Sequence, residues 1–248
     1  MYLKVQGLVL RVTAYHETDS LLTLITADQG KLTVKARGLR RKNNSLTACC
    51  QLLAYGEFTL FENRGFYTVQ EANSIELFMP LRKDLCKLSL GSYFAQVAEV
   101  MCQEDTPDPE LLSLLLNSLY ALCHLDLPED QVKGVFEFRS ACIGGYMPEL
   151  SGCIYCNQPF PDRFDIGRGS LVCSSCDAGN PGTIRMPVDS PLIEVMRYVA
   201  FCDGKKLFSF RAGDQVLSQF STISELYLST QLERGFSALD FYKSLLCT

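Results

Sequence analysis

The apolar period of this 248-residue chain changes once, at Met79-Pro80, and that change limits the chain to a β part followed by a helical part. Before it, short runs rich in β-formers are punctuated by turn residues: Leu3 to Tyr15, Leu21 to Thr26, the segment after Gly30, Leu52 to Glu62 and Phe66 to Ala72. Asp28-Gln29-Gly30 supplies one turn, and Asn63-Arg64-Gly65 carries Asn and Gly suited to positive φ in a tight hairpin. Five short antiparallel strands in about eighty residues predict a small barrel of the oligonucleotide-binding (OB) type. After the change the period is about 3.6. Leu81, Leu85 and Leu88, with Leu90, Phe94, Val97 and Met101 on an adjoining stripe, make a long amphipathic helix. Asp108-Pro109 starts a second through Leu122, and Val132, Val135, Phe136 and Ile143 mark a third that stops at Gly144-Gly145. Ser190-Pro191 opens a fourth, a fifth runs from Asp214 to Gln231, and a short one follows Ser237. The expected fold is therefore multidomain α+β: an OB-fold β-barrel domain over 1–80, then an α-helical bundle domain over 81–248 with an insert at 150–180.

The net charge of −5 conceals an uneven distribution. Residues 1–80 carry nine Lys and Arg against seven Asp and Glu, whereas 81–248 carry fourteen against twenty-one. The basic excess concentrates between Gly30 and Ser45, where Lys31, Lys35, Arg37, Arg40, Arg41 and Lys42 occur with no acid among them. Lys31, Thr33, Lys35 and Arg37 fall on one face of a strand and Leu32, Val34 and Ala36 on the other. Same-face neighbours lie roughly 6.6 Å apart, so the row presents an extended cationic track, and Gly38 releases the chain into a loop with three more cations. Such a track suits an extended polyanion. An edge strand that uses Lys against aggregation would look the same locally. Tyr55, Phe58, Phe61, Phe66 and Tyr67 are candidates for stacking on bases, although core burial is the commoner fate of strand aromatics.

Cys153-x2-Cys156 and Cys173-x2-Cys176 stand sixteen residues apart, within the spacing of a four-thiolate zinc site. Four Cys ligands close the coordination shell, so the ion is expected to be structural, one per chain, and to replace a hydrophobic core in a stretch poor in apolar residues. The other eight cysteines, Cys49, Cys50, Cys86, Cys102, Cys123, Cys142, Cys202 and Cys247, are scattered and read as reduced, mostly buried thiols.

Catalytic constellations are thin. The chain has two histidines, His16 and His124, which read as turn or cap residues. His16 directly precedes Glu17 and Gly152 precedes Cys153, so the spacing of a nucleobase deaminase is absent. Gly30-Lys31-Leu32-Thr33 lacks the glycine loop of a phosphate-binding motif, and Gly167-x-Gly169 lacks the third glycine of a dinucleotide site. The longest leucine-rich run, Leu111 to Leu125, is broken by Ser113, Asn117, Ser118 and His124. With no signal-peptide pattern at the N-terminus, the expectation is a cytoplasmic protein without enzymatic activity, membrane partner or small-molecule substrate.

Across nearly its whole length the chain resembles the bacterial RecO family of recombination mediators and DNA repair proteins. The resemblance is carried by Gly7-Leu8-Val9-Leu10 with Glu17-Thr18-Asp19-Ser20-Leu21-Leu22, by Gly30 through Arg41, and by the closing segment from Tyr227-Leu228 to Leu246. It implies an OB domain, a helical domain with a zinc-ribbon-like insert, and a nucleoid-associated role in annealing complementary single strands and loading recombinase. It also implies RecR and the acidic C-terminal tail of single-strand-binding protein as partners. The C-terminal segment is mixed in charge here, at Leu232-Glu233-Arg234-Gly235-Phe236 and Asp240, where the family is typically more basic, so no tail-binding residues are assigned to it.

The basic face is expected to hold the sugar-phosphate backbone of single-stranded DNA and leave bases free to pair. A rival is an interaction scaffold of the repair machinery with little direct DNA affinity, in which the basic loop is only solvated. A third reading, an RNA-binding zinc-ribbon protein, would rest on Arg163, Arg168 and Arg185, which Asp162, Asp165 and Asp177 offset.

Overall fold

The computed structural model describes residues 1–176 and 183–246, so Asp177 and Cys247 lie outside the described residues. The N-terminal strands are β1 (Tyr2–Tyr15), β2 (Asp19–Thr26), β3 (Gly30–Ala36), β4 (Tyr55–Asn63) and β5 (Phe66–Glu76). They close into a barrel of order β1-β2-β3-β5-β4, with β3 and β5 parallel through Val34 opposite Tyr67 and Lys35 opposite Thr68. This is the expected OB barrel.

Closure depends on β1, whose first half pairs with β4 (Tyr2 opposite Phe61) and whose second half pairs with β2 (Tyr15 opposite Asp19). A shift in register between Val9 and Arg11 lets one strand serve both neighbours, since a bulge bends the strand and increases its twist. Gly7 faces Gly56 across the β1–β4 pair, and a β-carbon on Gly56 would lie 2.6 Å from the Asn73 carbonyl oxygen of β5. Val5, Val9, Leu22, Leu24, Leu32, Val34, Phe58, Leu60 and Val69 fill the interior. In β3 the alternation is as read from the sequence: Leu32, Val34 and Ala36 are buried, while Lys31 and Lys35 are half-buried and Thr33 exposed.

A short 3₁₀ turn over Met79–Lys83 precedes α1 (Leu85–Met101). The helix starts later than Leu81 because Asp84 is extended and its carboxylate accepts the Lys87 amide at 3.1 Å as the N-cap. Asp108 caps α2 (Pro109–His124) at Leu111, with Pro109 in the first turn. Then come α3 (Glu129–Ile143), β6 (Arg163–Asp165), β7 (Ser170–Val172), β8 (Arg185–Pro187), α4 (Ser190–Phe201), α5 (Asp214–Gln231) and α6 (Ser237–Leu246). The cap of α4 is Asp189, one residue before the Ser190 expected for it, and its carboxylate takes the Leu192 amide at 3.0 Å.

Two compact units result. Met1–Leu125 and the segment from Phe236 form one, containing the barrel, α1, α2 and α6; Asp126–Gly235 form the other. In the first, Tyr93 of α1 meets Phe236 at 5.5 Å between ring centres, and Gln96 bonds Ser237 at the start of α6. In the second, α3 packs on α5 where Gly134 makes room for Phe220. Phe138, Phe220, Tyr227 and Phe164 continue that core at ring separations of 5.4 to 5.9 Å. Lys133 is buried there between Glu137 (3.1 Å) and Glu225 (2.9 Å).

Candidate nucleic-acid interface and metal centre

The β3 cations do not form one even row. Lys31 sits at the far end of the strand, where its ammonium donates to the Glu99 carbonyl of α1 at 3.2 Å. Lys35 is in an ion pair with Asp19 at 2.8 Å, with its ammonium 5.1 Å from the centre of the Tyr15 ring. Arg37, Arg40, Arg41 and Lys42 are exposed, and none of them makes an ion pair among the described residues.

Asp19 does more than pair. Its other oxygen accepts the Gly38 amide at 2.8 Å, which fixes the point where β3 gives way to the basic loop. The hydrogen bond from Lys35, then that from Gly38, hold the Asp19 carboxyl down at about 2. The Arg40 amide donates to the Thr18 carbonyl at 2.9 Å, and Asn44 donates to the carbonyls of Arg37 and Gly38. The loop backbone is thus braced by Asp19, Asn44 and the Thr18 carbonyl while its guanidinium groups stay in solvent.

Lys35 and Arg37 line a cleft of about 490 Å³ at the end of the barrel. The hairpin between β4 and β5 forms its opposite wall. There Arg64 and Gly65 both take positive φ, 53° and 81°, in place of the expected Asn63. This turn projects Arg64 into the cleft lining and leaves Phe66 78% exposed. Tyr15, Phe61 and Tyr67 complete an aromatic wall, and Phe61 is braced by Tyr2 at 5.3 Å. Of the five aromatics marked in the sequence, Phe61, Phe66 and Tyr67 line the cleft, Phe58 is in the core, and the Tyr55 hydroxyl bonds Gln6. Tyr15 and Arg64, which also line the cleft, are not among the candidates read from the sequence, because Arg64 sits in a turn where strand alternation says nothing.

In the insert, the sulfurs of Cys153, Cys156, Cys173 and Cys176 all lie within 4.8 Å of one another. The Cys156 and Cys173 sulfurs are 3.8 Å apart, matching the edge of about 3.8 Å that a tetrahedron of 2.3 Å zinc–sulfur bonds would have. Burial works against ionisation of Cys153, but amides of Tyr155, Cys156 and Cys173 point at its sulfur and bring it down to about 6. A donor set of four thiols, one predisposed to ionise, fits a thiophilic divalent ion. The three-residue strands β6, β7 and β8 are too short to have left an alternation in the sequence. Arg168 bonds the Tyr155 hydroxyl and Arg185 pairs with Asp165, so two of the three arginines near the knuckle are engaged locally.

His16 sits at positive φ (51°) in the β1–β2 turn and His124 ends α2, the positions expected of turn and terminal residues. Among the described residues no helix is long and apolar enough to cross a membrane.

The chain thus combines a five-stranded barrel bearing a cationic, aromatic-walled cleft with a helical region whose insert carries a four-cysteine cluster. Comparison with known proteins supports this over nearly the full length. Residues 1–78 match the family described as Recombination protein O N terminal, and residues 82–240 match Recombination protein O C terminal. The chain is 32% identical over 246 residues to DNA repair protein RecO of Acetivibrio thermocellus, covering 98% of this chain and 97% of that one. It is 27% identical to the proteins of the same name from Alkaliphilus metalliredigens, with 99% and 100% covered, and Bacillus subtilis, with 92% and 88% covered. The chain belongs to the RecO family of DNA repair proteins.

Proposed function

We propose that this protein is a non-enzymatic recombination mediator that binds single-stranded DNA in the barrel cleft, anneals complementary strands and assists recombinase loading. One observation carries the reading: a single cleft brings Lys35, Arg37 and Arg64 together with Phe61, Phe66 and Tyr67. Cations meet phosphates without reading sequence, and exposed rings stack on any base, which is the chemistry of sequence-tolerant single-strand binding. Arg40, Arg41 and Lys42 extend the positive surface beyond the cleft, and Lys31 serves the more distant end of β3. The relatives named DNA repair protein RecO favour a repair role; RecR and the tail of single-strand-binding protein as partners, in the bacterial cytoplasm, belong to the proposal through the family resemblance. The four cysteines would hold one structural zinc ion, with no part in chemistry.

The test is strand annealing with complementary oligonucleotides, comparing the wild type with the Arg37→Ala/Arg40→Ala/Arg41→Ala variant. Each lost phosphate contact removes roughly 0.7 from the slope of log K against log salt, so the slope should fall by about 2. An unchanged slope removes these residues from the site.

A second reading, the scaffold with little direct DNA affinity, draws on the ion pair that already occupies Lys35 and the carbonyl that occupies Lys31. Capture of single-strand-binding protein with no mobility shift on naked DNA would favour it.

A further inference from the structure

The helical unit spanning 126–235 is acidic, with fourteen Asp and Glu against ten Lys and Arg, and most of its cations are spent internally. Lys133 is buried between two carboxylates. Arg139 donates to the carbonyls of Val199 and Ala200, and Arg197 to those of Leu150, Ser151 and Pro159. Three cations are left over in one short stretch. Lys205, Lys206 and Arg211 are exposed and make no ion pair or side-chain hydrogen bond among the described residues.

That stretch borders a groove of about 700 Å³ between α4 and the start of α5. Its walls include Tyr198, Phe201, Phe210 and Arg211. Phe201 lines the groove and is 66% exposed. Tyr198 packs on Phe210 at 5.4 Å and donates its hydroxyl to the Lys206 carbonyl at 2.7 Å, which locks the lysine turn against the aromatic wall. The neighbouring acids are largely engaged: Glu194 pairs with Arg197, and Asp203 accepts the Lys205 amide. Asp214 remains at the start of α5.

We propose that this groove is a second site for an unstacked single nucleic-acid strand, with Lys205, Lys206 and Arg211 on its phosphates and Phe201 against a base. It repeats the chemistry of the barrel cleft, free cations beside exposed rings, on a separate unit of the chain. The inference rests on the annealing role proposed above, because annealing must bring together two polyanions that repel each other. A protein that grips each by its backbone lowers that repulsion and leaves both sets of bases free to pair.

The test uses the full-length protein and iodouracil-substituted single-stranded oligonucleotides, with peptide mapping of the photocross-links. Cross-links are expected on a peptide containing Phe201 or Phe210 as well as on barrel peptides, and Phe201→Ala should abolish the former alone. The Lys205→Gln/Lys206→Gln/Arg211→Gln variant should lower the salt slope for a long oligonucleotide by about 2 and slow annealing by roughly tenfold or more. Because these side chains are exposed, its melting temperature should match the wild type. Cross-links confined to the barrel with annealing unchanged would overturn the proposal. So would saturable binding of a short acidic peptide ending in an aromatic residue, abolished by the same three changes while annealing persists. Groove cross-links together with an Arg37/Arg40/Arg41 variant of unaltered DNA affinity would instead sink the barrel reading and leave this one standing.

Discussion

Asp19 holds Lys35 at 2.8 Å through one carboxylate oxygen and the Gly38 amide at 2.8 Å through the other, so a single side chain both occupies a cleft cation and sets the start of the basic loop. Under the proposed DNA reading, a phosphate would compete with Asp19 for Lys35. Asp19→Asn keeps an acceptor for Gly38 and releases Lys35. Tighter binding of single-stranded DNA at low salt is expected, with a salt slope steeper by about 0.7, in a fluorescence titration.

The same pair has a pH signature. Folding lowers the Asp19 pKa from 3.8 to about 2, so the contribution to stability is fully present above 3.8 and is lost as pH falls through about 2. Acid unfolding of Asp19→Asn, followed by circular dichroism, should lose this portion of the pH dependence between those values.

Phe66 is the most exposed ring of the cleft, so its removal tests stacking separately from charge. Phe66→Ala should weaken single-strand binding by about 1–3 kcal/mol with the salt slope unchanged. A lowered slope would mean that the hairpin had moved and taken Arg64 with it.

If Cys153, Cys156, Cys173 and Cys176 hold zinc as proposed, its removal should loosen the insert and spare the barrel. Cys156→Ser is expected to lower zinc content from about one ion per chain and open the 150–180 region to limited proteolysis. DNA affinity for a short oligonucleotide should hold.

Lys133 is nearly inaccessible, and its ammonium also meets the Ser221 hydroxyl at 3.3 Å. Burial alone would depress its pKa, but Glu137 and Glu225 outweigh that and hold it above its ordinary value. Its stabilising contribution is therefore complete below the ordinary lysine value near 10.4 and fades as pH rises through the higher folded value. Lys133→Met leaves the buried Glu137 and the partly exposed Glu225 without their cation and should cost about 3–5 kcal/mol in denaturant unfolding. Adding Glu137→Gln should recover part of it.

Much of this was legible because it is local. Alternation in β3 put Leu32, Val34 and Ala36 inside, the cap Asp108 is short-range chemistry, and the CxxC spacing marks the four sulfurs that come together. A row of like charges on one strand face was equally plain in the sequence. Which of those charges remain available was not. Lys35 meets Asp19 across the β2–β3 pair and Lys31 meets a carbonyl sixty-eight residues away, and neither partner is marked by spacing. Likewise the change of period at Met79-Pro80 locates the end of the barrel, yet the grouping of α1, α2 and α6 with it depends on contacts such as Tyr93 with Phe236. Periodicity fixes which face of an element is apolar, whereas the choice of partner for that face is made by packing between segments far apart in the chain, and only the closed tertiary structure decides it.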